Sequence, residues 1–309
     1  MAELLPIPDI IYGTAFKFDN SAKLVEAALK AGFRGIDTAG SNTAYRENLV
    51  GDGIAAAIAS GDLKREDLYI QTKFSPFKEG KDPALYPYDI TAGIPEQVEQ
   101  SVSSSLRNLR TSYIDCLILH SLYPNIEDSI TAWRAMEGFV SAGTVRSLGL
   151  SNTDAESLRQ IYESATVKPR VVQNRFTEDT AAAPNPKMPA NLPYPQVAFD
   201  RDVREVCEGW GIVYTPWGLL WGNPSLLDDP ELFEKIGREI GVSKQVACFA
   251  SMLRLSKGCK IKILCGTTKE ERMYETLDGL RRVGEFLAEG DAQRAAFDEA
   301  VERVERVIL

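Results

Sequence analysis

The sequence predicts an α/β fold, a (β/α)8 TIM barrel with extra helices and with long loops at its C-terminal face, on the strength of three observations. Short β-rich runs alternate with longer stretches of helical period from one end of the 309-residue chain to the other. Eight such pairs fit in about 280 residues, a count that suits a closed barrel better than an open doubly wound sheet. No G-x-G-x-x-G follows the first strand, where an open dinucleotide-binding sheet would more often carry one. The whole chain, 1–309, is read as one such domain.

The first strand is expected over Ile10 to Ala15. A helix follows over Ser21 to Ala31, where Leu24, Ala27, Ala28 and Ala31 share a face and Gly32 supplies the stop. Gly35 to Ala39 then leads into a helix near Glu47 to Ser60, and Leu68 to Phe74 is the third strand. Glu96 to Leu109 precedes a fourth strand, Ile114 to His120, and Asp128 to Ser141 precedes a fifth, Val145 to Leu150. The last three units pair helix Ala155 to Ser164 with strand Arg170 to Phe176, Arg201 to Trp210 with Ile212 to Pro216, and Lys244 to Leu255 with Ile261 to Cys265. A final barrel helix runs near Glu270 to Leu280, and Glu231 to Ile240 and Ala292 to Val307 are extra helices. The long loops Ser75 to Ile94 and Thr177 to Val197 both follow strands, on the face where barrels build their sites.

Composition narrows the function classes. With 44 acidic against 35 basic residues and a net charge of −9, the chain has no global field for nucleic acid, although a local basic pocket can still hold a phosphate. Its 5 cysteines are odd in number, scattered and without a C-x-x-C, which fits reduced thiols in the cytosol better than a disulfide framework or a zinc site. No signal peptide and no run of 18 apolar residues is read, so a cytoplasmic protein without a membrane partner is expected.

Four residues at strand ends or in an adjoining loop carry consistent chemistry. His120, the single histidine, ends an apolar strand where a purely structural position would more naturally take an aliphatic residue, although a hydrogen-bonded core histidine is the plainer alternative. Lys73, near the end of strand three, needs a charged partner if it faces inward, and Asp37 can supply it, as a structural ion pair or as part of a site. Tyr45 follows in the loop after Asp37, where most tyrosines are merely packed. Together they make a proton donor: an ammonium beside a phenol, ordinarily of pKa about 10, favours the phenolate, and a neutral imidazole can orient a substrate oxygen.

The segments GFRGIDTA (Gly32 to Ala39), YIQTKF (Tyr69 to Phe74), YIDCLILH (Tyr113 to His120), GTVRSLGLSN (Gly143 to Asn152), VVQN (Val171 to Asn174) and YTPWG (Tyr214 to Gly218) together resemble the aldo-keto reductases, over nearly the whole chain. The resemblance implies a monomer-competent barrel, a monomer or weak dimer, that binds a nicotinamide cofactor, usually NADPH, and reduces aldehydes or ketones to alcohols. It implies a catalytic tetrad of Asp37, Tyr45, Lys73 and His120 with Tyr45 as proton donor. It places Ser151, Asn152 and Gln173 at the carboxamide and Tyr214 on the nicotinamide ring. The adenosine end is matched by GTTKEER, that is Gly266, Thr267, Thr268 and Lys269 through Arg272, with Arg272 suited to a 2′-phosphate.

Two departures from the family pattern stand out. Its frequent lysine at the first adenosine-end position is Gly266 here, which leaves Lys269 to compensate or weakens the preference for NADPH. The family's Tyr-x-Asn-Glu, with a glycine seven residues after the tyrosine, is YRENLVG here, with Gly51 six residues after Tyr45, so the tyrosine loop is rebuilt.

Phe74, Phe77, Tyr86, Tyr88, Tyr123, Trp217 and Trp221 lie on or beside the loops after strands and can either line a roomy aromatic site or pin those loops. With little chain after the last helix to narrow the mouth, a bulky or aromatic carbonyl substrate is expected. Two other classes remain: a cofactor-binding regulatory or pathway subunit with little turnover, and a Schiff-base aldolase using Lys73.

Overall fold

Residues 5–61, 63–178, 198–255 and 258–309 are described by a computed structural model. Eight strands take the hydrogen-bonded order β7-β6-β5-β4-β3-β2-β1-β8. The chain divides into two compact units, Met1–Val172 with Leu264–Glu270, and Gln173–Ile263 with Glu271–Leu309.

In the first unit the order is β1 (Ile10–Gly13), α1 (Ser21–Ala31), β2 (Gly35–Asp37), α2 (Glu47–Ala59), β3 (Tyr69–Phe74), α3 (Ile94–Asn108), β4 (Cys116–Leu119), α4 (Ile126–Ser141), β5 (Leu148–Ser151) and α5 (Ala155–Ser164). All pairings from β1 to β5 are parallel, with Gly13 opposite Asp37, Asp37 opposite Gln71, and Lys73 opposite Ile118. Every residue of these strands is buried, as parallel strands covered on both faces require. Gly32 ends α1 in the left-handed region, at φ 117°, and donates its N–H to the Ala28 and Leu29 carbonyls. The side chains of Asn125 and Asp154 cap α4 and α5.

A charged cluster closes the amino-terminal ends of β3, β4 and β5. Asp115, immediately before β4, accepts from Arg65 at 2.8 Å, from Arg146 at 3.1 Å and from the Ile70 N–H at 3.0 Å. Both guanidiniums stack on Tyr113, 3.9 and 3.8 Å from the ring centroid.

Beyond α5 come β6 (Val171–Gln173), α6 (Arg201–Trp210), β7 (Val213–Tyr214), α7 (Pro224–Asp228), a π-helical turn (Pro230–Glu234), α8 (Lys235–Ile240), α9 (Lys244–Leu253), β8 (Ile263–Cys265), α10 (Glu270–Glu289) and α11 (Asp291–Ile308); Leu264 and Cys265 of β8, with the first residues of β6 and α10, belong to the first unit, and the rest makes up the second unit. Its core includes Phe233, Phe249, Phe297, Val304 and Ile308. The Tyr214 N–H donates to the Lys260 carbonyl and the Lys262 N–H to that of Tyr214, which extends the ladder by a bridge to Ile261.

The expected helices α1, α5 and α6 have the bounds read from sequence, whereas the strands are shorter than expected. Strand length depends on which backbone groups meet a neighbour, and β7 meets one over only two residues. Helix α10 runs to Glu289, well past Leu280, because its periodic face continues with Val283 buried. Helix α7 was not expected at all; its Pro224 stands in the first turn, where proline is tolerated. The loop Ser75 to Ile94 is described, but Thr177 to Val197 lies almost wholly outside the described residues. No helix among the described residues is long and apolar enough to cross a membrane, and all five cysteines are buried and free.

Candidate active site

Three of the four residues singled out above sit at the carboxyl ends of adjacent parallel strands. Asp37 is the last residue of β2, Lys73 the penultimate residue of β3, and His120 follows β4 directly. The Lys73 Nζ donates to Asp37 Oδ1 at 2.6 Å and to the Thr38 carbonyl at 2.7 Å. Gln71 Nε2 donates to the same Asp37 oxygen at 2.7 Å, and Ser75 Oγ lies 2.6 Å from His120 Nδ1. Gln71 and Lys73 alternate along β3 and Ser75 continues that spacing just past its end, so a period of two aims all three at this cluster. That alternation was the signal available for Gln71 and Ser75, which the sequence reading did not single out.

Tyr45 reaches the cluster from the β2–α2 loop. It is buried, its ring centroid is 5.0 Å from the Lys73 Nζ and 5.8 Å from that of His120, and the two rings meet edge to face at 71°. The loop is held by ladder-like bonds from the Thr38 N–H to Gln71 O (3.0 Å) and the Gly40 N–H to Lys73 O (3.1 Å), and by the Phe16 N–H to Ala44 O (2.7 Å). Gly51 explains the motif's glycine: a Cβ there would lie 1.9 Å from the Asn108 carbonyl oxygen, so α2 can approach α3 only with glycine at that position. Glu47, first residue of α2, is buried; it accepts from Thr72 Oγ1 and from Asn108 Nδ2 at 3.2 Å. The rebuilt spacing therefore still delivers Tyr45 beside Lys73.

Burial sets the protonation of these groups. It lowers the Lys73 pKa from its ordinary value, with Asp37 pulling the other way. It also holds His120 well below the ordinary imidazole value, with the Lys73 and Lys78 charges adding to the effect, so its ring is neutral near pH 7. Glu47 is shifted upward, again by burial.

Ser151, the last residue of β5, is buried, and Asn152 follows at a left-handed φ of 53°. Asn152 Nδ2 donates to the His120 carbonyl at 2.8 Å and to Ser151 Oγ at 3.1 Å, which ties this pair to the cluster. In the turn after β8, Tyr12 Oη donates to the Thr267 carbonyl at 2.8 Å, the Lys269 N–H donates to Thr267 Oγ1 at 3.2 Å, and Thr268 and Lys269 are exposed. Lys17, a residue not singled out from sequence, donates to the Gly266 carbonyl.

The remaining expected residues belong to the second unit. Gln173, at the end of β6, is buried, and Arg272, in the first turn of α10, is exposed. Tyr214 is wholly buried, with its hydroxyl 2.8 Å from Asp200 Oδ2, which also accepts from Asn174 Nδ2 at 2.8 Å. A ring so covered can meet a flat ligand only if what covers it shifts. Burial raises the Asp200 carboxyl to about 6 against these hydrogen bonds.

The aromatic residues split between the two expected roles. Phe74, Tyr86 and Tyr88 are buried against one another, with centroids 5.5 and 5.7 Å apart and Tyr88 Oη donating to Ser75 O at 2.7 Å, and so pin the β3–α3 loop. Phe77 and Tyr123 instead help line a cavity of about 300 Å³, together with Lys78 and Ser121, the residue after His120. Trp217 and Trp221, in the second unit, pair at 6.1 Å.

The aldo/keto reductase family model matches residues 9–280. The chain belongs to that family. It is accordingly an NAD(P)H-dependent oxidoreductase with carbonyl reductase activity. It is 26% identical over 266 residues to the glyoxal reductase of Bacillus subtilis, covering 85% of this chain and 80% of that one. Against the NAD/NADP-dependent indole-3-acetaldehyde reductase of Schizosaccharomyces pombe it is 26% identical over 288 residues, covering 90% and 87%. The crystal structure of an aldo/keto reductase from Brucella melitensis superposes with a TM-score of 0.68 at 21% identity, covering 95% of each chain, a likeness that shows the TIM-like (β/α)8 fold of eight parallel strands with surrounding helices.

The donor set suits the cofactor class of this aldo/keto reductase. Ser151 and Asn152, adjacent at the end of β5, offer a hydroxyl and an amide that can meet a carboxamide. Lys17 is a buried ammonium with no carboxylate partner among the described residues, which is the chemistry of an anion site.

Proposed function

We propose that this aldo/keto reductase uses NADPH to reduce a bulky or aromatic aldehyde or ketone to its alcohol, with Tyr45 as the proton donor. The observation that carries the reading is the placing of the Tyr45 ring 5.0 Å from an ammonium that is itself ion-paired to Asp37 at 2.6 Å.

The reduced nicotinamide, when bound, supplies the hydride that adds to the carbonyl carbon. Tyr45 gives its hydroxyl proton to the carbonyl oxygen as that oxygen becomes an alkoxide, and the Lys73 charge stabilises the phenolate left behind. Asp37, also held by Gln71, fixes the ammonium in place. His120, neutral and held at Nδ1 by Ser75, orients the substrate oxygen. Ser151, Asn152 and Gln173 are proposed to meet the carboxamide and Tyr214 the nicotinamide ring. Gly266, Thr267, Thr268, Lys269 and Arg272 are proposed for the adenosine end. Phe77 and Tyr123, in the cavity wall next to Ser121, support an aromatic substrate. A single (β/α)8 domain, which the continuous match over residues 9–280 favours, a cytoplasmic location, which five unpaired cysteines favour, and a monomer or weak dimer complete the proposal. A Schiff base at Lys73 is not favoured, because that side chain has no exposed surface for a substrate to reach.

The test is a fluorescence titration with NADPH and NADH, followed by a panel of carbonyls of graded size on the parent and on Tyr45→Phe. The variant should bind NADPH within about twofold of the parent while kcat falls by about 10²–10⁴. Unchanged turnover in the variant removes Tyr45 from the mechanism. Turnover confined to short aldehydes and small sugars removes the bulky substrate, and binding without any turnover in the parent makes the chain a non-catalytic subunit.

A further inference from the structure

The backbone of His120, the single histidine of the chain, is fixed at both of its polar groups. Its N–H donates to the Phe74 carbonyl at 2.8 Å, and its carbonyl accepts from Asn152 Nδ2 at 2.8 Å. What is left to decide is the ring: which way it is turned, and which of its two nitrogens carries the proton. Tyr45 meets the ring edge to face at 71°, a contact that does not tell one nitrogen from the other. The Ser75 hydroxyl does, because it stands 2.6 Å from Nδ1.

The imidazole has one proton to place. Burial and the Lys73 and Lys78 charges oppose a second, so near pH 7 one nitrogen donates and the other accepts. With the proton on Nδ1, the ring would donate to Ser75 Oγ, and the serine O–H would be left without an acceptor among the described residues. The Nε2 lone pair would then face the substrate, and a carbonyl oxygen, which only accepts, would meet it lone pair to lone pair. With the serine as donor, Nδ1 satisfies the O–H and the ring proton sits on Nε2. That nitrogen has no hydrogen-bond partner among the described residues, and His120 is partly exposed, so the N–H is open to a ligand.

The serine is itself held in place. It continues the alternation of Gln71 and Lys73 just past the end of β3, and its carbonyl accepts from Tyr88 Oη at 2.7 Å. The hydroxyl therefore reaches the ring from a backbone tied on one side to the sheet and on the other to the β3–α3 loop.

We infer that Ser75 is a positioning residue of the reduction: by donating its hydroxyl proton to His120 Nδ1, it confines the imidazole proton to Nε2, where it meets the substrate carbonyl oxygen. The inference rests on the role of His120 in the proposed function and goes beyond it by naming the group that decides whether the ring can play that role.

Proton–nitrogen NMR of the full chain with isotopically labelled histidine tests it, because one imidazole gives one pair of ring nitrogen resonances. In the parent, Nε2 should resonate at the protonated limit and Nδ1 at the unprotonated limit. In Ser75→Ala the two should move toward each other as both tautomers become populated, and Ser75→Thr, which keeps the hydroxyl, should return them toward the parent. With a carbonyl substrate, kcat of Ser75→Ala should fall about tenfold while KM stays within about twofold, since a hydrogen bond to oxygen strengthens as alkoxide charge develops. A parent with the proton on Nδ1, ring resonances that do not move in Ser75→Ala, or an unchanged kcat in that variant overturns the assignment. Unchanged turnover in Tyr45→Phe overturns the underlying functional reading, a result distinct from any of these because the ring resonances are read on the protein without substrate.

Discussion

The two ends of β3 and β4 each carry a carboxylate, a cation and a tyrosine, and they use them in opposite ways. At the amino end Asp115 is saturated: two guanidiniums and a backbone N–H occupy it, and both guanidiniums lie on the faces of Tyr113. At the carboxyl end Lys73 meets Asp37 and a backbone carbonyl but also stands over the Tyr45 ring, beside an imidazole that is kept neutral. Arginine's fixed fork suits a permanent clamp, whereas a lysine responds to burial and to its neighbours. The same three kinds of group therefore make a fastening at one end of the sheet and a proton-handling site at the other, as barrels separate stability from chemistry.

Three outcomes would sharpen or break this contrast. The largest effect is expected from removing the carboxyl-end pair as a unit: Asp37→Asn with Lys73→Met should cut kcat by at least about 10². Because no buried charge is left unmatched, its urea midpoint should stay near the parent's. Severe unfolding of this double variant would mean that the pair is structural after all. Next, Asp115→Leu should cost about 3 kcal/mol of stability, since it strands two arginines that are only about one-fifth exposed and an Ile70 N–H. Turnover per folded molecule should hardly change, and a large fall in kcat at full folding would erase the distinction between the two ends.

The smallest effect concerns pH. Folding lowers the His120 pKa, so below about pH 6.5 the unfolded chain takes up a proton that the folded chain refuses, and stability falls with acidification until the folded value is reached. The slope is about 1.4 kcal/mol per pH unit. With one histidine in the chain, the difference between parent and His120→Gln in urea titrations from pH 7 downward isolates this contribution. Parallel curves for the two proteins would show that the imidazole is not held neutral.

Much of the site was legible because strand-end residues announce themselves. Asp37 and His120 each end an apolar run and Lys73 stands in the polar tail of its strand, and polar residues at that point in a parallel strand have few purely structural uses. Lys17 was not legible: it stands between two phenylalanines before α1, and nothing local indicates that the lysine is buried while both phenylalanines are exposed. Asp115 and its two arginines were equally silent, because they come from three separate segments. The covering of Tyr214 and the Asp200 carboxyl that holds its hydroxyl depend on contacts that no motif encodes.

By itself the sequence determined the eight-fold α/β order, the family and the candidate chemistry, since periodicity and strand-end composition are local properties that survive in the unfolded chain. Only the tertiary structure decided where strands stop, which lysine faces the Gly266 turn, and which of two similar charged clusters is spent on holding the sheet together. Those outcomes depend on which groups are taken out of water together, and burial of that kind is a property of the packed molecule rather than of any segment.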